Sequence, residues 1–136
     1  VTIVTNAVNI ASELTVRQCV RVVVTGGAAR ARSYELTGPL SSLILPQISI
    51  GTLFLGVEGV NDHGVYASHE SEAAVNAALV RAAHRVVVVA DHTKLGEAAF
   101  ALICRTSEID ELITDEAAEP EPVEALRAAG VKVHLV

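Results

Sequence analysis

The run Phe54-Leu55-Gly56-Val57-Glu58-Gly59-Val60-Asn61-Asp62-His63-Gly64, with Ser68-His69-Glu70-Ser71-Glu72-Ala73-Ala74 just behind it, decides the fold. Thr52 to Leu55 is a short apolar run ended by glycine, the pattern of a buried strand. Gly56, Gly59 and Gly64 let the backbone turn tightly and approach a bound group closely. From Glu70 the pattern becomes helical, with Val75, Leu79 and Ala82/Ala83 on one side. Strand, glycine turn and helix in that order build a ligand crevice in open α/β sheets, because the polar turn lies at the strand's carboxyl end.

The same grammar repeats on both sides of this stretch. Thr2 to Thr5 reads as a strand, with Asn6 or Asn9 as the cap of a helix reaching Leu14. Cys19 to Thr25 reads as a β-branched strand closed by Gly26-Gly27, and Ala28 to Tyr34 as a short edge strand. Gly38-Pro39 opens a helix to about Gln47, with Pro39 suited to the first helical position and Leu40, Leu43, Ile44 and Ile48 on its buried side. Arg85-Val86-Val87-Val88-Val89-Ala90 is the most apolar strand; its unbroken β-branched run calls for burial on both faces, hence a central parallel strand. Ala98 to Cys104 is ambiguous between strand and helix. Glu111 to Thr114 is a strand. Pro120-Glu121-Pro122 opens a helix that Gly130 stops, and Val131 to Val136 is the last strand, with Lys132 and His134 outward. Strands alternating with helices give a mainly parallel sheet in a layered α/β fold.

Composition narrows the function. With 51% hydrophobic and 3% aromatic residues the core is aliphatic. The net charge of -6 excludes the basic footprint that nucleic-acid binders need. The acids crowd the last third, from Glu108 to Glu124, and read as a solvated outer face. No apolar run is long enough to span a bilayer. Cys19 and Cys104 sit in apolar surroundings and read as reduced core residues of a cytoplasmic protein. The sequence holds no Met and opens on mid-sheet sequence, so a fragment lacking an N-terminal part is expected.

The apolar strands end in small or polar residues: Thr5-Asn6, Thr25-Gly26-Gly27, Gly56, Asp91 and Thr114-Asp115. In a parallel sheet such ends share one edge, where α/β folds bind ligands. Gly26-Gly27 suits either a phosphate cradle of backbone amides or a plain turn. Gly56 to Gly64 lacks the spacing of the dinucleotide fingerprint. Asp62, His63, His69, Glu70 and Glu72 fit no metal-ligand spacing, so no metal and no cofactor are expected. Ser68 or Ser71 as a helix cap, with Glu70 and Glu72 favoured by the helix dipole, accounts better for that stretch. Glu72 keeps a second reading, as an acceptor for sugar hydroxyls beside a glycine turn. Lys94, one of only two lysines, follows the most buried strand and reads either as a point charge for a phosphate or as a solvated loop residue. Ser68, His69 and Asp91 have no nucleophile elbow behind them, and neither cysteine has an activating neighbour, so no catalytic residue is assigned.

Taken in order, Val4-Thr5-Asn6-Ala7-Val8-Asn9-Ile10-Ala11, Thr25-Gly26-Gly27, Leu36-Thr37-Gly38-Pro39, Phe54-Leu55-Gly56-Val57-Glu58-Gly59, His63-Gly64, Glu72-Ala73-Ala74-Val75, Ala90-Asp91-His92-Thr93-Lys94-Leu95-Gly96 and Ile109-Asp110-Glu111-Leu112-Ile113-Thr114-Asp115 resemble the C-terminal effector-sensing domain of the DeoR family of bacterial transcriptional repressors. The resemblance covers nearly the whole chain. It implies a Rossmann-like three-layer α/β fold shared with ribose-5-phosphate isomerase, glucosamine-6-phosphate deaminase and CoA transferases. It implies one sensing domain over residues 1–136 that binds a phosphorylated sugar or related metabolite, in a cytoplasmic homo-oligomer that meets DNA only through an N-terminal winged helix-turn-helix. Position by position it implies ligand contacts at Thr5, Asn6, Gly26, Gly27, Gly56, Gly59, Glu72, Asp91 and Lys94. It also implies a further central strand and an Asp-Ser-Gly-Thr-Thr-like phosphate loop ahead of Val1. Neither stands in this sequence, so an N-terminally truncated sheet with a gap that pairing with another chain can fill is expected. The competing reading is a sugar-phosphate isomerase or deaminase, for which Glu58, Asp62, His63 and Glu72 are the available acid/base groups.

Overall fold

A computed structural model describes residues 1–136, which divide into two compact units, Val1–Ser49 and Ile50–Val136. The first unit runs β1 (Thr2–Thr5), α1 (Val8–Thr15), β2 (Arg21–Val24), β3 (Ala28–Ala29), β4 (Leu36–Thr37) and α2 (Pro39–Ser42), then a 3-10 turn at Leu45–Gln47. β1 and β2 pair in parallel, Thr2 opposite Arg21 and Thr5 opposite Val24, so both strands end on the same side. β3 and β4 pair antiparallel.

Four expectations need correction in this unit. The N-cap of α1 is Ala7, and no side chain caps it. Asn6 instead turns its side-chain amide to Leu36 O at 3.3 Å, tying β1 to β4. Cys19 is exposed, outside the shortened β2. The edge strand shrinks to Ala28–Ala29, because Arg32 (φ 75°) and Tyr34 (φ 60°) adopt left-handed backbone that no strand contains. The helix begun at Pro39 stops at Ser42, since Pro46 has no N–H for the carbonyl of Ser42 and its ring would strike that group. The break re-aims the segment. Leu40 and Leu43 are exposed, and Ser41 and Leu45 are buried in their place.

The second unit contains β5 (Ile50–Gly56), β6 (Gly59–Val60), β7 (Gly64–Ala67), α3 (Glu70–Ala82), β8 (Ala83–Val89), β9 (Ala101–Arg105), β10 (Glu111–Thr114), α4 (Pro120–Ala128) and β11 (Lys132–Leu135). Single 3-10 turns at His92–Lys94 and Thr106–Glu108 flank β9. A four-stranded parallel sheet has the order β11-β10-β8-β5, and a three-stranded antiparallel sheet the order β6-β7-β9. Helices α3, against β5 and β9, and α4, against β11, flank the strands, giving the layered α/β fold.

The parallel register aligns Leu55, Val88, Leu112 and Val133 in one row across the sheet, and all four are buried. Each such aliphatic side chain contributes about 1.5–3 kcal/mol by leaving water. β8 is the central strand its sequence calls for, with Val86, Val87 and Val88 all buried, but the run's last valine, Val89, is exposed at the strand end. β5 is only half the buried strand that its apolar run suggests. It is an edge strand pairing only with β8, so Leu53 and Leu55 point inward while Thr52 and Phe54 are exposed. Its seven residues carry no charge and no proline, leaving a row of main-chain groups free for a further strand.

The Ala98–Cys104 ambiguity resolves to a strand, β9. α3 starts after His69 with no side-chain cap, so neither Ser68 nor Ser71 has that role. No helix is long and apolar enough to cross a membrane.

Candidate functional site

Two groups of strand ends meet the sequence-derived positions, one in each unit. In the first unit Thr5, Asn6, Gly26 and Gly27 come together where the parallel pair β1–β2 ends. The buried Thr5 accepts the Ala7 N–H on Oγ1 at 3.0 Å, and the Thr25 N–H donates to Thr5 O at 3.1 Å. Ser41, fully buried, donates its hydroxyl to Gly26 O at 2.8 Å. Sequence reading missed Ser41; its signal was a polar residue in an otherwise apolar stretch. Gly26 and Gly27 differ sharply. A Cβ on Gly26 would meet nothing within 4 Å, whereas one on Gly27 would collide with Ser41 Oγ.

In the second unit β5, β8 and β10 run in parallel, which sets Gly56, Asp91 and Asp115 along one rim. The turn after β8 is tightly built. Asp91 accepts the Thr93 N–H at 2.8 Å and the Thr93 hydroxyl, and these bonds, hydroxyl first, hold its carboxyl below the usual carboxylate range. Asp115 accepts the His92 N–H at 2.7 Å, and His92 Nδ1 lies 2.7 Å from its other oxygen. Those contacts, the backbone bond foremost, lower the Asp115 carboxyl as well. Asp115, which the sequence assigns to a solvated acidic run, is therefore a structural clamp on the 91–94 turn. Glu111 departs from that run too, held between His134 Nε2 at 2.9 Å and Arg85. Beyond the turn, the Gly96 N–H donates to Val60 O at 2.8 Å. Lys94 Nζ reaches Glu58 Oε2 at 3.1 Å across the rim.

Gly59 and Glu72 are placed differently. Gly59 is buried in β6, and a Cβ there would lie 2.8 Å from Glu97 O, so close backbone packing requires this glycine. Glu72 lies in the first turn of α3, where an acid complements the helix dipole. Asn61 Oδ1 takes the N–H groups of His63 and Gly64, both at 2.9 Å, and so closes the turn of residues 61–63 between β6 and β7. Asp62, His63, His69, Glu70 and Glu72 are not gathered into a group able to hold a metal ion. Burial pushes the Cys104 thiol up to about 12, which leaves it unreactive. A depression of about 390 Å³ along α1, lined by Asn9, Ile10, Glu13 and Leu14, offers a carboxylate and no cation, the wrong chemistry for an anion.

One group on the second rim is unsatisfied. Thr114, at the end of β10, is 2% exposed and its Oγ1 has no partner. A buried hydroxyl without a partner costs about 1–3 kcal/mol. The isosteric Thr114→Val is expected to raise stability by about 1 kcal/mol, seen as a melting point roughly 3–5 °C higher. A lowered melting point would show that the hydroxyl is bonded after all.

A layered α/β domain with its polar strand ends along a rim, an ammonium among them, defines the class: a Rossmann-like architecture, in which such strand ends are where ligands bind. The comparisons narrow the class to a family. The model of the DeoR C terminal sensor domain matches residues 1–116, and the chain belongs to that family. It is 35% identical over 133 residues to a putative aga operon transcriptional repressor of Escherichia coli, covering 97% of this chain and 49% of that protein. It is 33% identical over 116 residues to the HTH-type transcriptional repressor GlcR of Bacillus subtilis, covering 84% and 44%. It is 28% identical over 126 residues to the glycerol-3-phosphate regulon repressor of Escherichia coli, covering 92% and 49%. The chain spans about half the length of these relatives. Membership of this family makes the chain a sensor domain and not an isomerase or deaminase.

Proposed function

We propose that residues 1–136 act as one effector-sensing domain of a cytoplasmic, homo-oligomeric transcriptional regulator. It binds a phosphorylated sugar or related metabolite, and binding alters operator affinity through a winged helix-turn-helix carried elsewhere in the protein. The supporting observation is Lys94. Its turn is clamped by Asp91 and Asp115, and its ammonium stands at the strand-end rim with an exchangeable partner. An ammonium so placed suits a phosphate as a point charge. The name of one relative, a glycerol-3-phosphate regulon repressor, points to the same ligand class. The acidic net charge of -6 agrees with DNA contact residing outside this chain.

In this reading Gly56, Asp91 and Lys94 serve the ligand at the rim of the second unit, and Thr5, Asn6, Gly26 and Gly27 serve it in the first. Gly59 and Glu72 are set apart from that rim, as a glycine packed against the Glu97 backbone and an acid in the first turn of α3. A panel of sugar phosphates and the matching unphosphorylated sugars tests it by thermal shift. A phosphorylated effector at a hundredfold excess over its Kd stabilises the fold by about 2.7 kcal/mol, and the unphosphorylated partner leaves it unmoved. Lys94→Ala is expected to abolish most of that shift. Equal shifts from sugar and sugar phosphate would remove the phosphate from the proposal.

A further inference from the structure

Lys94 and Glu58 are held from behind. The Lys94 N–H donates to Asp91 O at 3.1 Å, and the Glu58 N–H donates to Tyr66 O at 2.9 Å. The turn carrying Lys94 is further fixed by Asp115, and Leu95 bridges to Val60. The framework therefore sets the 3.1 Å approach of the two side chains. Both remain partly in water, Lys94 31% and Glu58 49% exposed. Ion pairs of that exposure are weak, so separating them costs little.

We infer that Glu58 is a resident counter-ion for the ligand anchor, whose carboxylate holds the Lys94 ammonium until a phosphate displaces it. The inference rests on the proposed reading that this rim receives a phosphorylated metabolite. The physical consequence is selectivity. A monoanionic carboxylate ligand offers Lys94 the same charge and acceptor type that Glu58 already supplies, and gains nothing by exchange. A phosphate brings nearly two charges and three acceptor oxygens, and wins the exchange. Glu58 thus makes the rim a filter for phosphate esters against sugar acids.

The experiment is a titration with inorganic phosphate at fixed low ionic strength, followed through the amide signals of residues 56–59 and 91–96. The proteins compared are wild type, Glu58→Gln, Lys94→Ala and Glu124→Gln. Glu124 pairs with Arg127 on α4, so Glu124→Gln repeats the change in net charge away from the rim. Glu58→Gln is expected to bind phosphate about two- to fivefold more tightly than wild type, the range that release of one exposed ion pair allows. Glu124→Gln should match wild type, and Lys94→Ala should lose the response. Tighter binding by both glutamine variants would reduce the effect to net charge and overturn the inference. Weaker or unchanged binding by Glu58→Gln, with the response still lost in Lys94→Ala, overturns the inference and leaves the phosphate reading standing. No response from any of the four overturns both.

Discussion

Leu112→Ala is expected to lower the stability of the second unit by about 2–5 kcal/mol. Leu112 is fully buried in β10, between β8 and β11, in the row it shares with Leu55, Val88 and Val133. Its neighbours are anchored by strand hydrogen bonds on both sides, so they collapse poorly into the space an alanine leaves. Poor collapse puts the cost in the upper part of the range, because the cavity adds to the lost transfer energy. Domains of this size have about 5–15 kcal/mol in total, so the substitution removes a large share. In urea, with a slope of about 1–3 kcal/mol/M, the unfolding midpoint should fall by one to several molar units. Phe54→Ala is the control. Phe54 is 67% exposed on the edge strand β5, and its loss should shift stability by less than about 1 kcal/mol. Equal midpoints for the two variants would mean that the row through Leu112 is not the centre of the core.

The contrast between these two residues also shows what the sequence could tell. Both sit in apolar runs, and composition alone ranks Phe54 as the larger core residue. What separates them is strand order. β10 lies inside the sheet and β5 at its edge, and nothing in Thr52 to Leu55 encodes that position. The strands themselves were legible, because β-branched runs such as Val86 to Val89 have no other stable use in water. The two-residue strand β6 was not. Its pairing with β7 and the bond from Gly96 to Val60 O come from tertiary contacts that leave no periodicity to read. The Asn61 turn did leave a signal, an amide two and three residues before the N–H groups it accepts.

The rim was legible for a different reason. Strand ends can be found one strand at a time, so Gly56, Asp91 and the Thr114-Asp115 pair could be named before the sheet was known. Their partners could not. Lys94 meets Glu58 because β5 lies beside β8, and His92 meets Asp115 because β10 lies on the other side. A reading that treats charges by local density assigns Asp115 to a solvated run. Only the strand order turns it into the acceptor that fixes the Lys94 turn.

Gly26 and Gly27 give the sharpest contrast, and Gly27→Ala is expected to cost the first unit about 2–5 kcal/mol. Gly27 has φ 118°, and left-handed backbone costs a side-chain-bearing residue about 1–2 kcal/mol. Its added Cβ would also stand 2.7 Å from Thr37 O and closer still to Ser41 Oγ. Overpacking of that kind costs about 1–3 kcal/mol more. Ser41 cannot swing away freely, because its hydroxyl is buried and committed to Gly26 O. Gly26→Ala meets only the first cost, since its φ is 82° and the space beside it is open. Circular dichroism melts should therefore show Gly26→Ala within about 2 kcal/mol of wild type and Gly27→Ala well below it. Adding Ser41→Ala to Gly27→Ala should restore part of the loss, but not the part set by the Thr37 carbonyl. The same geometry divides the functional claim. Gly27 is glycine because the Ser41 side chain and the Thr37 carbonyl fill the space beside it, while Gly26 is glycine beside open space that an incoming group can use. If the first rim takes a ligand, Gly26→Ala weakens its binding while the fold stays intact. Unaltered binding in a folded Gly26→Ala protein would leave both glycines as turn formers only.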